Sequence, residues 1–177
     1  MAERKIVYIG DDVLRKKARR VRDFDGALNT LIDDMVETLA GAQGVGLAAP
    51  QVGVSQRVIV IHLPDDEEAY GEQAGVSYQV VNPEIVKSSR ETVEDVEACL
   101  SIPGYFGTVE RSKMVVVRGQ DRQGKEIRVK AYDWLARVFQ HEIDHLDGVL
   151  YIDRTDEVWK VDEREEEEAG EAAPAAD

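Results

Sequence analysis

The segment His141-Glu142-Ile143-Asp144-His145 constrains this chain more than any other. On an α-helix, residues four apart share one face, with Cβ atoms about 6 Å apart. Two imidazoles so placed can hold one metal ion, and the glutamate after the first can reach a water on that ion. The segment therefore predicts a helix whose histidine face turns inward. The chain has only three histidines, so this spacing is not a by-product of histidine abundance. A catalytic metal takes three protein ligands and keeps one position open. Cys99, the only cysteine, lies in Glu97-Ala98-Cys99-Leu100-Ser101 and is the candidate third ligand. His62 is the rival, but it sits in an apolar run where a core histidine is the plainer reading. A single cysteine excludes an internal disulfide and suits a reducing, cytoplasmic setting.

The pattern around that segment reads as α+β, with mostly antiparallel strands packed around the C-terminal metal-binding helix. A short helix is predicted from Asp11 or Asp12 through Lys17. A longer one follows Asp25, with Leu28, Leu31, Ile32, Met35 and Leu39 at helical spacing and Gly41 and Gly44 ending it. Residues 44–51 read as a small, apolar loop. Strands are predicted over 57–63, 78–81, 85–87, 114–118 and 126–130, with a hairpin turn at Gln123-Gly124. An acidic surface loop covers 64–75, and the metal-binding helix covers 132–146. A length of 177 residues fits one domain, placed at 1–160. Residues 161–177 carry −7 of the total charge of −14 and are expected to form an acidic disordered tail. That balance argues against nucleic-acid binding through an overall basic field. No run approaches the ~18–20 apolar residues of a membrane helix, and the charged start does not resemble a secretory signal.

Three motifs, in order, give the chain its resemblance to the peptide deformylase family. Gly44-Val45-Gly46-Leu47-Ala48-Ala49-Pro50-Gln51 matches the family's glycine-hydrophobic-glycine-hydrophobic-Ala-Ala-x-Gln pattern. Glu97-Ala98-Cys99-Leu100-Ser101 matches the second motif, with alanine at a position where the family has glycine. Gln140-His141-Glu142-Ile143-Asp144-His145-Leu146 matches the third completely. With Val13-Leu14-Arg15-Lys16, the resemblance spans roughly residues 5 to 154. It implies a catalytic domain that removes the formyl group from the N-terminal methionine of nascent polypeptides and releases formate.

The resemblance further implies that Cys99, His141 and His145 bind the metal, typically Fe(II), with Zn, Ni or Co able to take its place. Thiolate plus two imidazoles does not by itself choose among these. Glu142 would take a proton from the attacking water and pass one to the leaving amine. The Gln51 amide and the Leu100 backbone N–H would hold the developing oxyanion. The substrate would add as a strand, with Val45, Gly46 and Ala98 supplying backbone contacts and Glu97 in the same substrate-binding group. At about 100° per residue, Trp134 and Val138 share the face of His141 and His145, with Arg137 at its edge. That face is the expected wall of a methionine pocket, while Leu135, Phe139, Ile143 and Leu146 form a core face. Glu97 and Arg111 could pair. Phe106 replaces an arginine common in the family, which removes one charged contact to longer peptides. Transient contact with the ribosome is implied, without sequence-specific nucleic-acid binding or membrane attachment. The alternatives are a zinc endopeptidase, resting on His-Glu-x-x-His alone, and a specialised deformylase-like hydrolase with an altered substrate range, to which Ala98 and Phe106 point.

Overall fold

The computed structural model describes residues 2–160, so the expected acidic tail at 161–177 lies outside the described residues. Two antiparallel sheets and three helices make the α+β architecture. The larger sheet has the order β1-β2-β3-β6-β7, formed by Gly46–Ala48, Val58–His62, Ser77–Ser88, Met114–Gln120 and Glu126–Tyr132. The smaller has the order β4-β5-β8, formed by Thr92–Cys99, Ile102–Ser112 and Val158–Lys160.

Helices α1 (Gly26–Ala42) and α3 (Asp133–Leu146) cover the two faces of the larger sheet. Strand β2 shows why both faces need cover. Ile59 and Ile61 pack with Leu135, Phe139 and Ile143 of α3, while Val58 and Val60 pack with Leu28, Ile32 and Met35 of α1. Successive side chains of a strand point to opposite faces, so an unbroken apolar run serves two cores. Asp25 starts α1 by accepting the Leu28 N–H, and Gln43, left-handed at φ 57°, ends it. Gly41, expected to terminate that helix, lies inside it.

Other boundaries also differ from the sequence expectations. The helix expected over 11–17 is a 3-10 turn, Asp12–Arg15, after which the chain runs extended because Ala18 donates its N–H to the Leu146 carbonyl. Residues 46–48 of the expected loop form a strand paired with β2. The two strands expected at 78–81 and 85–87 are one, interrupted by an irregularity at Asn82 and Pro83. The short helix α2 (Glu67–Tyr70) sits in the acidic loop. No helix of the described residues is long and apolar enough to cross a membrane.

Phe139 is fully buried at the centre of the α3 face, with its ring 5.5 Å from that of Tyr78. Truncating a buried phenylalanine removes transfer free energy and leaves a cavity. Phe139→Ala is expected to lower stability by about 3–5 kcal/mol in urea unfolding. A loss below about 1 kcal/mol would mean that α3 is not held by this core.

Candidate metal centre

Two elements of the fold deliver the three ligands. His141 and His145 stand one turn apart on α3, with ring centroids 5.1 Å apart. Cys99 is the last residue of β4, where alternation puts Glu97 and Cys99 inward and Ala98 toward the surface. The ligand atoms of Cys99, His141 and His145 all lie within 4.8 Å of one another, and all three residues are buried. Cys99 Sγ and His145 Nε2 are 3.4 Å apart, close to the roughly 3.5 Å that a tetrahedral ion sets between two of its ligands. A thiolate and two imidazoles in one buried pocket fit a transition-metal ion.

The environment fixes these donors. Glu97 is 0% exposed, and its carboxylate accepts the Nδ1 of His141 at 2.7 Å. That bond leaves the other ring nitrogen of His141 for a metal, the usual carboxylate–histidine arrangement. The same carboxylate accepts Nε and Nη2 of Arg111, each at 2.9 Å, and Nη1 of Arg137 at 2.6 Å. Arg111 continues to Asp144 at 2.6 Å, and Arg154 also grips Asp144. Burial alone would raise the Glu97 carboxyl, but the hydrogen bonds and charges of Arg111 and His141 outweigh it and hold it well below the usual carboxylate range. Burial would likewise lower the Arg111 guanidinium, and Glu97 and Asp144 reverse that. Tyr151 stacks on His141 with ring centroids 6.0 Å apart, and burial, then the charge of Cys99, pushes its hydroxyl up to about 12.

Gln51 lies in a 3-10 turn, Ala49–Val52, after β1. Its carbonyl oxygen accepts the Ala48 N–H at 2.9 Å, which aims its amide nitrogen at Cys99 Sγ, 3.6 Å away, and Ser101 Oγ, 3.3 Å away. Leu100 follows Cys99 directly, at the turn between β4 and β5. Glu142 is fully buried and meets β1 at Gly46. A Cβ built on Gly46 would lie 2.5 Å from Glu142 Oε1 and 2.9 Å from its Cγ, so only glycine admits the carboxylate there.

The placement of other expected residues is mixed. Gly46 meets Glu142 from β1, Val45 just before it is buried in the core cluster with Leu135 and Phe139, and Ala98 lies in β4 outside the positive-φ region, so its methyl group costs no backbone strain. Glu97 needs correction as a substrate-binding side chain, because its carboxylate is consumed by Arg111, Arg137 and His141. Val138 packs into the core cluster with Leu135 and Phe139. Trp134 is half-buried and lines a cleft of about 420 Å³ with Val93, Val96 and Arg137, a lining that does not include Val138. His62 is exposed on β2, with Nδ1 2.6 Å from Ser77 Oγ, and is neither core nor ligand.

Arg137 and Gln140 are the residues that sequence reasoning undervalued. Arg137 also donates to the carbonyls of Val109 and Val93, which joins α3 to β5 and β4. Gln140 accepts the Ser112 N–H and donates to the Ser112 carbonyl, pairing α3 with the end of β5. The available signal was position: Arg137 is four residues before His141, one turn along the same helix.

Residues 3–161 match the family model described as polypeptide deformylase. The chain belongs to the polypeptide deformylase family. It is 49% identical over 153 residues to a peptide deformylase of Dehalococcoides mccartyi, covering 86% of each chain. Among solved structures, the peptide deformylase of Thermotoga maritima superposes with a TM-score of 0.78 at 44% identity, covering 87% of this chain and 98% of that one. The Acinetobacter baumannii class I type b peptide deformylase with bound Met-Ala-Ser superposes with a TM-score of 0.81 at 35% identity, covering 87% and 99%. This deformylase chain therefore has the family's fold, with a Cys-His-His cluster that could hold its metal.

The network around Glu97 predicts two separable effects. Glu97→Gln removes the charge behind His141 and is expected to weaken metal binding about 10- to 100-fold in a chelator competition. Arg137→Met leaves Arg111 on Glu97 but strips the Val93 and Val109 carbonyls of a donor, and is expected to cost about 3 kcal/mol of stability. Unchanged metal affinity in the first variant would remove Glu97 from the support of His141.

Proposed function

We propose that this chain is a metal-dependent hydrolase that removes the formyl group from the N-terminal methionine of nascent polypeptides. The observation that carries the reading is the convergence of Cys99, His141 and His145 on one point, with Glu142 held beside it against Gly46. When bound, the ion activates water near neutral pH and polarises the formyl carbonyl. Glu142 accepts a proton from the attacking water and delivers one to the departing amine. Its burial against β1 keeps bulk water from competing for that proton. The Gln51 amide, oriented by Ala48, and the Leu100 N–H donate to the oxygen on which charge develops. Fe(II) is our assignment for the native ion, with Zn, Ni or Co able to occupy the same donors.

Strands β1 and β4 are both edge strands, and both end at the centre. An extended peptide can pair with such an edge, and Val45, Gly46 and Ala98 supply the backbone groups. The bound Met-Ala-Ser of the Acinetobacter baumannii protein is a peptide of the kind this reaction releases. Trp134, which lines the 420 Å³ cleft, is the side chain we assign to the methionine pocket. The cytoplasm, where nascent chains emerge and a lone thiol stays reduced, is the compartment this reading requires. Residues 1–160 act as one catalytic domain. The endopeptidase alternative leaves Cys99 and the Gly44–Gln51 motif without a role.

The deciding assay offers formyl-Met-Ala-Ser and a peptide with only internal bonds. Formate release from the first without cleavage of the second is expected, and internal cleavage would overturn the reading. Glu142→Gln should retain stoichiometric metal yet lose at least ~3 kcal/mol of transition-state stabilisation, about a hundredfold in kcat/KM. Wild-type turnover in that variant would take Glu142 out of the mechanism.

A further inference from the structure

The chain's net charge of −14 conceals one strongly basic segment. Between Asp12 and Asp23 there is no acidic residue, and six of the ten positions are Arg15, Lys16, Lys17, Arg19, Arg20 and Arg22. All six side chains are exposed. Arg15 pairs with Asp153, while none of the ion pairs found among the described residues uses the other five.

The segment is extended but firmly anchored. Ala18 N–H donates to the Leu146 carbonyl, Arg19 N–H to Ser55, and Arg57 N–H to Arg19. Asn82 treats Val21 as a strand partner would, accepting its N–H at 2.8 Å and donating to its carbonyl at 2.9 Å. Asn82 does this from a left-handed conformation, φ 52°, at the interruption of β3. Ala18 and Val21 are buried, three residues apart, so the cations between and beside them are turned outward. Shallow clefts of about 360 and 420 Å³ flank the ridge, the first lined by Arg19 and Arg22, the second by Lys17 and Arg57. The acids bordering the second are already engaged: Asp147 with Arg57, Asp144 with Arg111 and Arg154, Glu84 with Arg118.

We propose that this ridge, residues 15–22, is a docking surface for the phosphodiester backbone of RNA. Four of its six cations are arginine, whose planar fork binds phosphate in bidentate fashion. It is an exposed, pre-ordered ridge, suited to lie along a backbone rather than to enclose a peptide side chain. Backbone contacts of this type position a protein without reading sequence. The overall negative charge does not forbid them, since at physiological salt charges beyond about 8 Å are screened and the local cations dominate. The inference rests on the reading of the chain as an enzyme of nascent polypeptides, which places RNA within reach of its substrate.

The test uses the full chain and a variant carrying Lys16→Gln, Lys17→Gln, Arg19→Gln and Arg20→Gln, none of which lies in the reaction machinery. Binding to a short duplex RNA, to intact ribosomes and to polyglutamate is measured against salt. Wild type is expected to lose roughly a hundredfold in RNA affinity between about 50 and 200 mM salt, as some four phosphate contacts require. The salt slope should fall by about one per cation removed. Hydrolysis of a small formyl peptide should stay unchanged in the variant. Salt-independent RNA binding, or equal RNA binding by the variant, overturns the proposal. That second outcome is also what an occupant from within the chain, the acidic residues 161–177, would give. Polyglutamate binding as tight as RNA at matched charge overturns RNA as the partner. Failure of formate release by wild type would sink the functional reading and leave the RNA measurement interpretable by itself.

Discussion

The Glu97 carboxylate is the interaction on which the rest of the site depends. Burying an ionised carboxylate with two guanidinium groups is costly, and the cost is recovered only when every lone pair and N–H finds a partner. Here Glu97 has Arg111 in bidentate contact, Arg137 and His141, and the two arginines reach on to Asp144, Val93 and Val109. The partners come from β4, β5 and α3. One buried charge therefore sets the position of the hairpin that ends in Cys99 relative to the helix that carries both histidines. A packed apolar contact in its place would hold these elements together, but it would not fix the orientation of the His141 ring.

The second constraint is the approach of β1 to α3. Gly46 lets the sheet edge come within contact of Glu142, and the turn after β1 then brings Gln51 to the thiolate. Edge strands are a liability when left bare, because unpaired backbone groups invite other chains. In this fold β1 and β4 are both sheet edges that meet the centre, and under the proposed reading an extended substrate pairs with them, so that the hazard and the binding mode share one geometry.

The sequence showed the parts of the fold and site whose residue types leave few alternatives. His141 and His145 four apart with Glu142 between them were legible as a metal-binding helix, and Cys99 was the leading candidate for a third ligand, with the resemblance to the family assigning it that place. Strand β2 was legible from its unbroken apolar run. Of β4 only the end was, as a strand-to-turn segment over 97–101, and β5 was not. Thr92 to Glu97 sets two valines among three acids without strict alternation; Glu94 and Asp95 face solvent while Glu97 is buried, and Pro103, Gly104 and Gly107 interrupt the pattern of β5, so neither has the signal of a half-buried strand. Arg137 was hidden for a related reason. An arginine near a helix edge usually means solvent, and only the carboxylate from a distant strand and two carbonyls from others make it a core residue. His62 shows the reverse error: its apolar neighbours face the two cores, while its own side chain at the strand end points out. The helix expected over 11–17 failed because propensity and capping do not register a backbone partner as remote as Leu146.

The fold has sources of stability that do not involve the ion. Apolar cores lie on both faces of the larger sheet, one under α1 and one under α3, and the Glu97 network is built entirely from side chains and backbone. This separates the centre from small metal-dependent domains, where the binding free energy of the ion is itself the folding free energy. A pre-ordered site of one thiolate and two imidazoles accepts several divalent ions, and intrinsic affinity rises from Fe(II) towards Ni and Cu, with Zn also above Fe(II). Iron at such a site would then reflect supply, together with the reactivity it confers, because the donors themselves do not favour it. What the protein contributes is constant across ions: a fixed His141 ring, a Glu142 carboxylate buried against β1 where the proposed reaction needs a proton acceptor, and an amide from Gln51 oriented by Ala48.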